Sequence, residues 1–208
     1  AFHLTQPHPE GEGAAAALRE ALQRGGGDPD LIVAHATGTD ANDHSEYRAY
    51  ERVFGERLAR IPVTASKSVY GHTLGAAGAV DAALCIAMLE ARSVLPTMTG
   101  ADSIDRATFP LLDLVTDRRD GPIARTLNMA VGFGGSNAAL MLVAPHPAEP
   151  GVRAPMSPTA GPETTHGRST PSLDRPSQNP TAPLRSDDLT RKPGSDDAIC
   201  ITGLAVIV

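Results

Sequence analysis

Thr64–Gly78 reads TASKSVYGHTLGAAG, and on this stretch the rest of the chain is organised. It sets Lys67, His72 and the entrance of an apolar helix within one strand-turn-helix passage. Pro62–Ser66 is a short strand, and the run AAGAVDAALCIAMLEA over Ala76–Ala91 is apolar nearly all round, which predicts a buried rather than an amphipathic helix.

Working upstream, a second anchor is Ala34–Asp43, AHATGTDAND, which follows the apolar run Leu31-Ile32-Val33-Ala34. A run of that kind is a strand covered on both faces, so His35 sits at a strand's carboxyl end, where α/β sheets place their chemistry. Glu10–Arg24 carries Ala14, Leu18, Ala21 and Leu22 on one face and stops at Gly25-Gly26-Gly27, an amphipathic helix with a breaker. Asp43 and Glu46 have capping-box spacing, and Tyr47, Tyr50, Phe54 and Leu58 then recur at helical spacing, predicting a helix over about 44–59. Downstream, strands are expected around Val94 and over Leu111–Val115, Leu127–Val131 and Ala138–Val143, the last two flanking the glycine turn GFGGSN.

Composition bounds the function. A net charge of -6 gives no basic surface for nucleic acid, and Arg118-Arg119 is too short for a phosphate track. No stretch approaches the roughly 20 apolar residues of a bilayer span, and AFHLTQPHPEGEG lacks the basic and apolar regions of a signal peptide, so no membrane partner and a cytoplasmic location are expected. Cys85 and Cys200 form no disulfide framework or metal-ligand spacing and read as small buried hydrophobes. Eleven of the eighteen prolines fall between Pro145 and Pro193 among Ser, Thr, Gly and Asp, the composition of a disordered linker. After it, Ile199–Val208 reads as a strand cut off at the last residue. The expected organisation is therefore a folded unit over 1–145, a disordered linker over 146–196 and the start of another unit over 197–208.

Two histidines at strand ends can donate hydrogen bonds to a carbonyl or move a proton near neutral pH, and Lys67 would bias their protonation through its charge. Glycines at 71, 75 and 78 let backbone approach a ligand, and those at 132, 134 and 135 free consecutive N–H groups for an oxyanion hole. The same residues also read as satisfied core histidines and turn glycines, and residue types leave both readings standing.

The runs AHATGTDANDHSE, SKSVYGHTLGAAG and AVGFGGSNAALML, in this order and at these separations, resemble the carboxyl-terminal half of a β-ketoacyl synthase of the thiolase-like superfamily. The resemblance covers Leu31–Val143, and the preceding helix fits the same half. It implies an α/β fold layered α-β-α, and an acyltransferase of the 3-oxoacyl-ACP synthase type. In that family malonyl carried on acyl carrier protein loses CO2 to a carbanion that attacks an acyl thioester held on cysteine, a decarboxylative Claisen condensation in fatty-acid or polyketide synthesis. No cofactor is implied, the substrate riding on the carrier's phosphopantetheine.

Matched by motif position, His35 and His72 are the pair that stabilises the enolate. Lys67 matches the family lysine, and Glu46 the carboxylate with which it pairs, a role compatible with helix capping. Thr37 and Thr39 match hydroxyls that bind the pantetheine arm. Phe133 matches a gating aromatic whose N–H belongs to the oxyanion hole, with Gly132 and Gly134 allowing its turn. Asn137 is expected to tether that turn.

The matched stretch also departs from the family pattern. Ala36 replaces a usual glycine and Val131 a common phenylalanine. The nucleophilic cysteine belongs to the amino-terminal half, and Cys85, mid-helix with no base beside it, cannot substitute. The expected partners are acyl carrier protein, that amino-terminal half and a second ketosynthase-like subunit in a homo- or heterodimer. As an isolated fragment the chain is expected to be inactive and to expose a large apolar face. The competing reading is a non-catalytic partner of the chain-length-factor kind, distinguished by whether a cysteine stands at the nucleophile turn. The tail AICITGLAVIV resembles the first strand of another ketosynthase-like domain.

Overall fold

Leu31, Ile32 and Val33 have no exposed surface, so this short segment must be covered on both faces, and it forms the strand β1 at the middle of a six-stranded sheet. The computed structural model describes residues 3–99 and 104–144 in full and the backbone of 200–207. In chain order the elements are α1 (Glu12–Gly25), β1 (Leu31–Val33), α2 (Asp40–Phe54), β2 (Pro62–Thr64), α3 (Lys67–Tyr70), α4 (Ala77–Ala91), β3 (Ser93–Val94), β4 (Asp113–Leu114), β5 (Arg119–Asp120), β6 (Arg125–Val131), β7 (Asn137–Val143) and β8 (Cys200–Ile207). A six-residue 3-10 helix extends α2 over Gly55–Arg60, and a single 3-10 turn leads into α4 over Leu74–Ala76.

The sheet order is β4-β2-β1-β6-β7-β8, with β4, β2, β1 and β6 parallel and β7 antiparallel to β6. Strand alternation sorts the two faces. Ile32, Val63, Leu127, Met129, Ala139 and Met141 pack with α1 and α2, while Leu31, Val33 and Leu142 pack with Cys85, Met88 and Leu89 of α4. The layering is α-β-α, as expected. Asn128 on β6 ties the α4 layer to the sheet by donating to Gly78 O at 2.9 Å.

Two local expectations are corrected. Helix α2 begins a turn earlier than the capping-box reading places it: Thr39 is the N-cap, without a side-chain cap hydrogen bond, so Asp43 and Glu46 lie inside the helix. Helix α4 is buried only along Ala77, Asp81, Cys85, Met88 and Leu89, whereas Ala83, Ile86 and Ala87 on its other side are exposed. An all-round apolar helix needs a body on each side, and the described residues supply one. The small antiparallel pair of β3 with β5 has no apolar signature, since β5 is Arg119-Asp120.

Leu74–Ala91 is apolar and long enough to cross a membrane. Asp81 at its middle, however, is fully buried and ion-paired with Lys67, which identifies a sheet-covering helix. β8 lies in the stretch expected to open another unit and pairs antiparallel with β7 of this sheet, with a register shift at Met141/Leu142. The stretch read as a linker, 146–196, lies outside the described residues.

Candidate functional site

The loop leaving β1 is held from below by α2. Glu46, buried, turns its carboxylate toward the strand end: Oε1 accepts the His35 N–H at 2.6 Å and the Tyr50 hydroxyl at 2.6 Å. Oε2 accepts the Ala36 N–H at 2.8 Å and an Asn42 amide N–H at 3.3 Å. These bonds hold Ala36 in the left-handed region at φ 33°. Burial raises the Glu46 carboxyl above its usual range, opposed by the bonds from Tyr50, Ala36 and His35.

That anchoring fixes His35 in a nearly closed pocket, 5 % exposed. Desolvation is the main cause that lowers its pKa to about 4, with the Lys67 and His72 charges adding to it. The imidazole is thus neutral at pH 7, with one donor nitrogen and one acceptor. Its Nδ1 is buried and makes no hydrogen bond among the described residues.

Beyond β2 the chain makes the single turn of α3 and then bends at Gly71, φ 81°, which sends His72 back across the sheet end. The exposed His72 ring meets His35 edge-on, with centroids 5.3 Å apart and planes at 87°. The two histidines predicted from separate motifs are brought together.

Lys67 is buried as well, but its partner differs from the expectation. Its Nζ donates to Asp81 Oδ2 at 2.7 Å, and no Lys67–Glu46 bond exists among the described residues. Glu46 is taken up by its own donors, so the lysine finds its counter-ion on α4. Asp81 Oδ1 accepts the hydroxyls of Ser66 and Tyr70. Asp81, Ser66 and Tyr70 were not singled out in the sequence, although a lone carboxylate inside the run AAGAVDAALCIAMLEA is a usable signal.

Thr37 and Thr39 share a hydrogen bond of 3.0 Å between their hydroxyls and line, with His35 and His72, a cleft of about 500 Å³. Phe133, 77 % exposed, Gly132 and Val131 form its far wall. Of the glycine-turn N–H groups, that of Gly132 donates to Ser136 O at 2.7 Å and that of Gly134 to Leu4 O at 2.7 Å. Both are therefore committed internally, and the Phe133 N–H is left without a partner among the described residues. Asn137 donates to Gly135 O at 2.8 Å and tethers the turn, as expected.

Cys85 is buried in α4 with its thiol pushed up to about 12 by desolvation, the opposite of an activated nucleophile. No group of His, Cys, Asp and Glu suited to a metal ion occurs among the described residues. Two imidazoles converging on one space, with a buried lysine behind them and on the far wall a backbone N–H without a partner among the described residues, can stabilise negative charge developing on a carbonyl oxygen.

Residues 1–101 match the family described as Beta-ketoacyl synthase, C-terminal domain. The chain is 39% identical over 145 residues to 3-oxoacyl-[acyl-carrier-protein] synthase 2 of Rhizobium meliloti (strain 1021), covering 68% of this chain and 34% of that protein. It is 34% identical over 146 residues to the protein of the same name from Coxiella burnetii, again across 68% and 34%. Among solved structures it resembles the ishigamide ketosynthase/chain length factor, with a TM-score of 0.62 and 34% identity over 68% of this chain and 34% of that one. It also resembles a ketosynthase in complex with its chain length factor from Xenorhabdus doucetiae, TM-score 0.61 and 35% identity over 67% and 35%. A third is a ketosynthase bound to a hexaketide in complex with its type II PKS acyl-carrier protein, TM-score 0.60 and 27% identity over 67% and 35%. The chain spans about a third of the length of the curated relatives it matches.

Proposed function

Because this chain carries the carboxyl-terminal half of a ketosynthase of the thiolase-like superfamily, we propose that it supplies the decarboxylation site of a β-ketoacyl-ACP synthase. The carrying observation is the edge-on approach of His35 and His72 at 5.3 Å in one cleft. In this reading the malonyl thioester carbonyl oxygen lies between the two rings and accepts an N–H hydrogen bond from each. The bond from the methylene carbon to the carboxylate breaks, CO2 leaves, and its electron pair becomes the enolate that the two donors stabilise. The enolate carbon then attacks an acyl thioester. A carbon-carbon bond forms, the carbon-sulfur bond breaks, and the thiolate leaves to take up a proton.

The thiol comes from residues other than Cys85, which in this reading means an amino-terminal half. Burial keeps His35 neutral, so its imidazole offers one N–H donor to the carbonyl oxygen. Lys67, paired with Asp81, places positive charge behind the site. Glu46 acts through the backbone of His35 and Ala36 rather than on substrate. Thr37 and Thr39 face the cleft where a pantetheine arm would lie, and Phe133 on its far wall offers the acyl oxyanion an N–H that has no partner among the described residues. Acyl carrier protein delivers the substrate, and a second ketosynthase-like subunit completes a dimer.

The competing reading, a non-catalytic partner subunit of the chain-length-factor kind, is decided by whether a cysteine stands at the nucleophile turn of the amino-terminal half. The test uses the full-length protein that contains this segment. His35→Ala and His72→Ala are each expected to lower CO2 release from malonyl-ACP by about 10²-fold or more. Release at the parent rate in both variants rules the reading out.

A further inference from the structure

His72 has little of its own to hold it. Its ring makes one hydrogen bond among the described residues, from the Leu74 N–H to Nδ1 at 3.3 Å, and one ring contact, with His35. The turn that follows is open, with Leu74 73 % exposed. The position of His72 is therefore inherited from what precedes it, Tyr70 and Gly71. The Gly71 N–H closes α3 by donating to Lys67 O at 2.8 Å.

Three of the five residues Ser66–Tyr70 converge on one fully buried carboxylate. Ser66 and Tyr70 donate to Asp81 Oδ1, Lys67 donates to Oδ2, and the Ser66 and Tyr70 hydroxyls are also 3.1 Å from each other. Tyr70 is the last of these attachments before the chain swings out through Gly71. Half-buried, its phenol is pushed up to about 12, first by desolvation and then by the bond to Asp81, so it stays a donor across the working pH range.

We infer that Tyr70 is a positioning residue: its bond to Asp81 pins the carboxyl end of α3 and so fixes where His72 enters the cleft. This rests on the proposed role of His72. It assigns Tyr70 a function that the ion pair alone would not require, because Lys67 satisfies only Oδ2 and sits one helical turn away from the bend.

Tyr70→Phe keeps the ring and removes the donor. In the full-length protein it is expected to lower kcat for malonyl-ACP decarboxylation about tenfold with KM unchanged, while the rate of thiol acylation stays at the parent value. In an Asp81→Asn background the further effect of Tyr70→Phe should shrink to below about twofold, since coupled residues are not additive. Equal losses in decarboxylation and acylation, or a tenfold loss that persists in Asp81→Asn, overturn the inference. His72→Ala separates the two levels. If it abolishes decarboxylation while Tyr70→Phe matches the parent, the Tyr70 inference alone fails; if it leaves decarboxylation intact, the proposed function fails and takes this inference with it.

Discussion

The backbone N–H of His35 donates to Glu46 Oε1 at 2.6 Å, so a helix side chain sets the height of the strand-end loop. Each Glu46 oxygen accepts two donors, which leaves no orientation in which an amide nitrogen could replace one of them without facing an N–H or O–H. Glu46→Gln is expected to cost about 2–3 kcal/mol of stability in denaturant unfolding. A cost below about 0.5 kcal/mol would show that the carboxylate is not holding the loop.

Lys67 and Asp81 are both buried, so removing either one leaves an uncompensated charge in the interior. Lys67→Met and Asp81→Leu singly should each destabilise by about 3–5 kcal/mol, and the double variant by less than the sum of the two. A double-mutant cycle on unfolding free energies checks this; additive effects would contradict it.

The His35 imidazole has a pKa of about 4 in the folded protein against 6.5 when unperturbed. Below pH 6.5 the unfolded chain takes up the proton that the folded chain refuses, so stability falls as pH drops from 6.5 to 4 and is unaffected by this group above that window. The limiting loss is about 3 kcal/mol at 1.36 kcal/mol per pH unit. Melting curves at pH 7 and pH 4.5 should differ less for His35→Gln than for the parent protein. An equal acid loss in both would assign it to other groups.

Ala36 sits at φ 33°, where a Cβ is disfavoured and glycine is not. Ala36→Gly is expected to stabilise by about 0.5–1 kcal/mol. Thermal melting at pH 7 decides the sign.

Much of this architecture was legible from local pattern. The apolar run at Leu31–Val33 marked a strand covered on both faces, with His35 at its carboxyl end. The hairpin around GFGGSN followed from its glycines. The partner of Lys67 was not legible, because Asp81 lies fourteen residues away on another element and only packing brings it near. Capping-box spacing at Asp43 and Glu46 misled for a similar reason. Spacing cannot tell a helix start from a position one turn inside, and Glu46 uses its carboxylate on a strand-end loop instead of on its own helix. The burial of α4 failed as a prediction because apolar composition reports the wish to be covered and says nothing about which body does the covering.

Helix α4 carries Asp81 on its inner side and Ala83, Ile86 and Ala87 on its outer side, within one rigid rod. At 1.5 Å per residue, Asp81 stands about 12 Å along the axis from Leu89. A surface that seats itself on the outer side cannot shift that rod without carrying the Asp81 carboxylate with it, and the Lys67 ammonium is bonded to that carboxylate at 2.7 Å. Seating on the outer side and the placement of charge behind the two histidines therefore form a single mechanical coordinate.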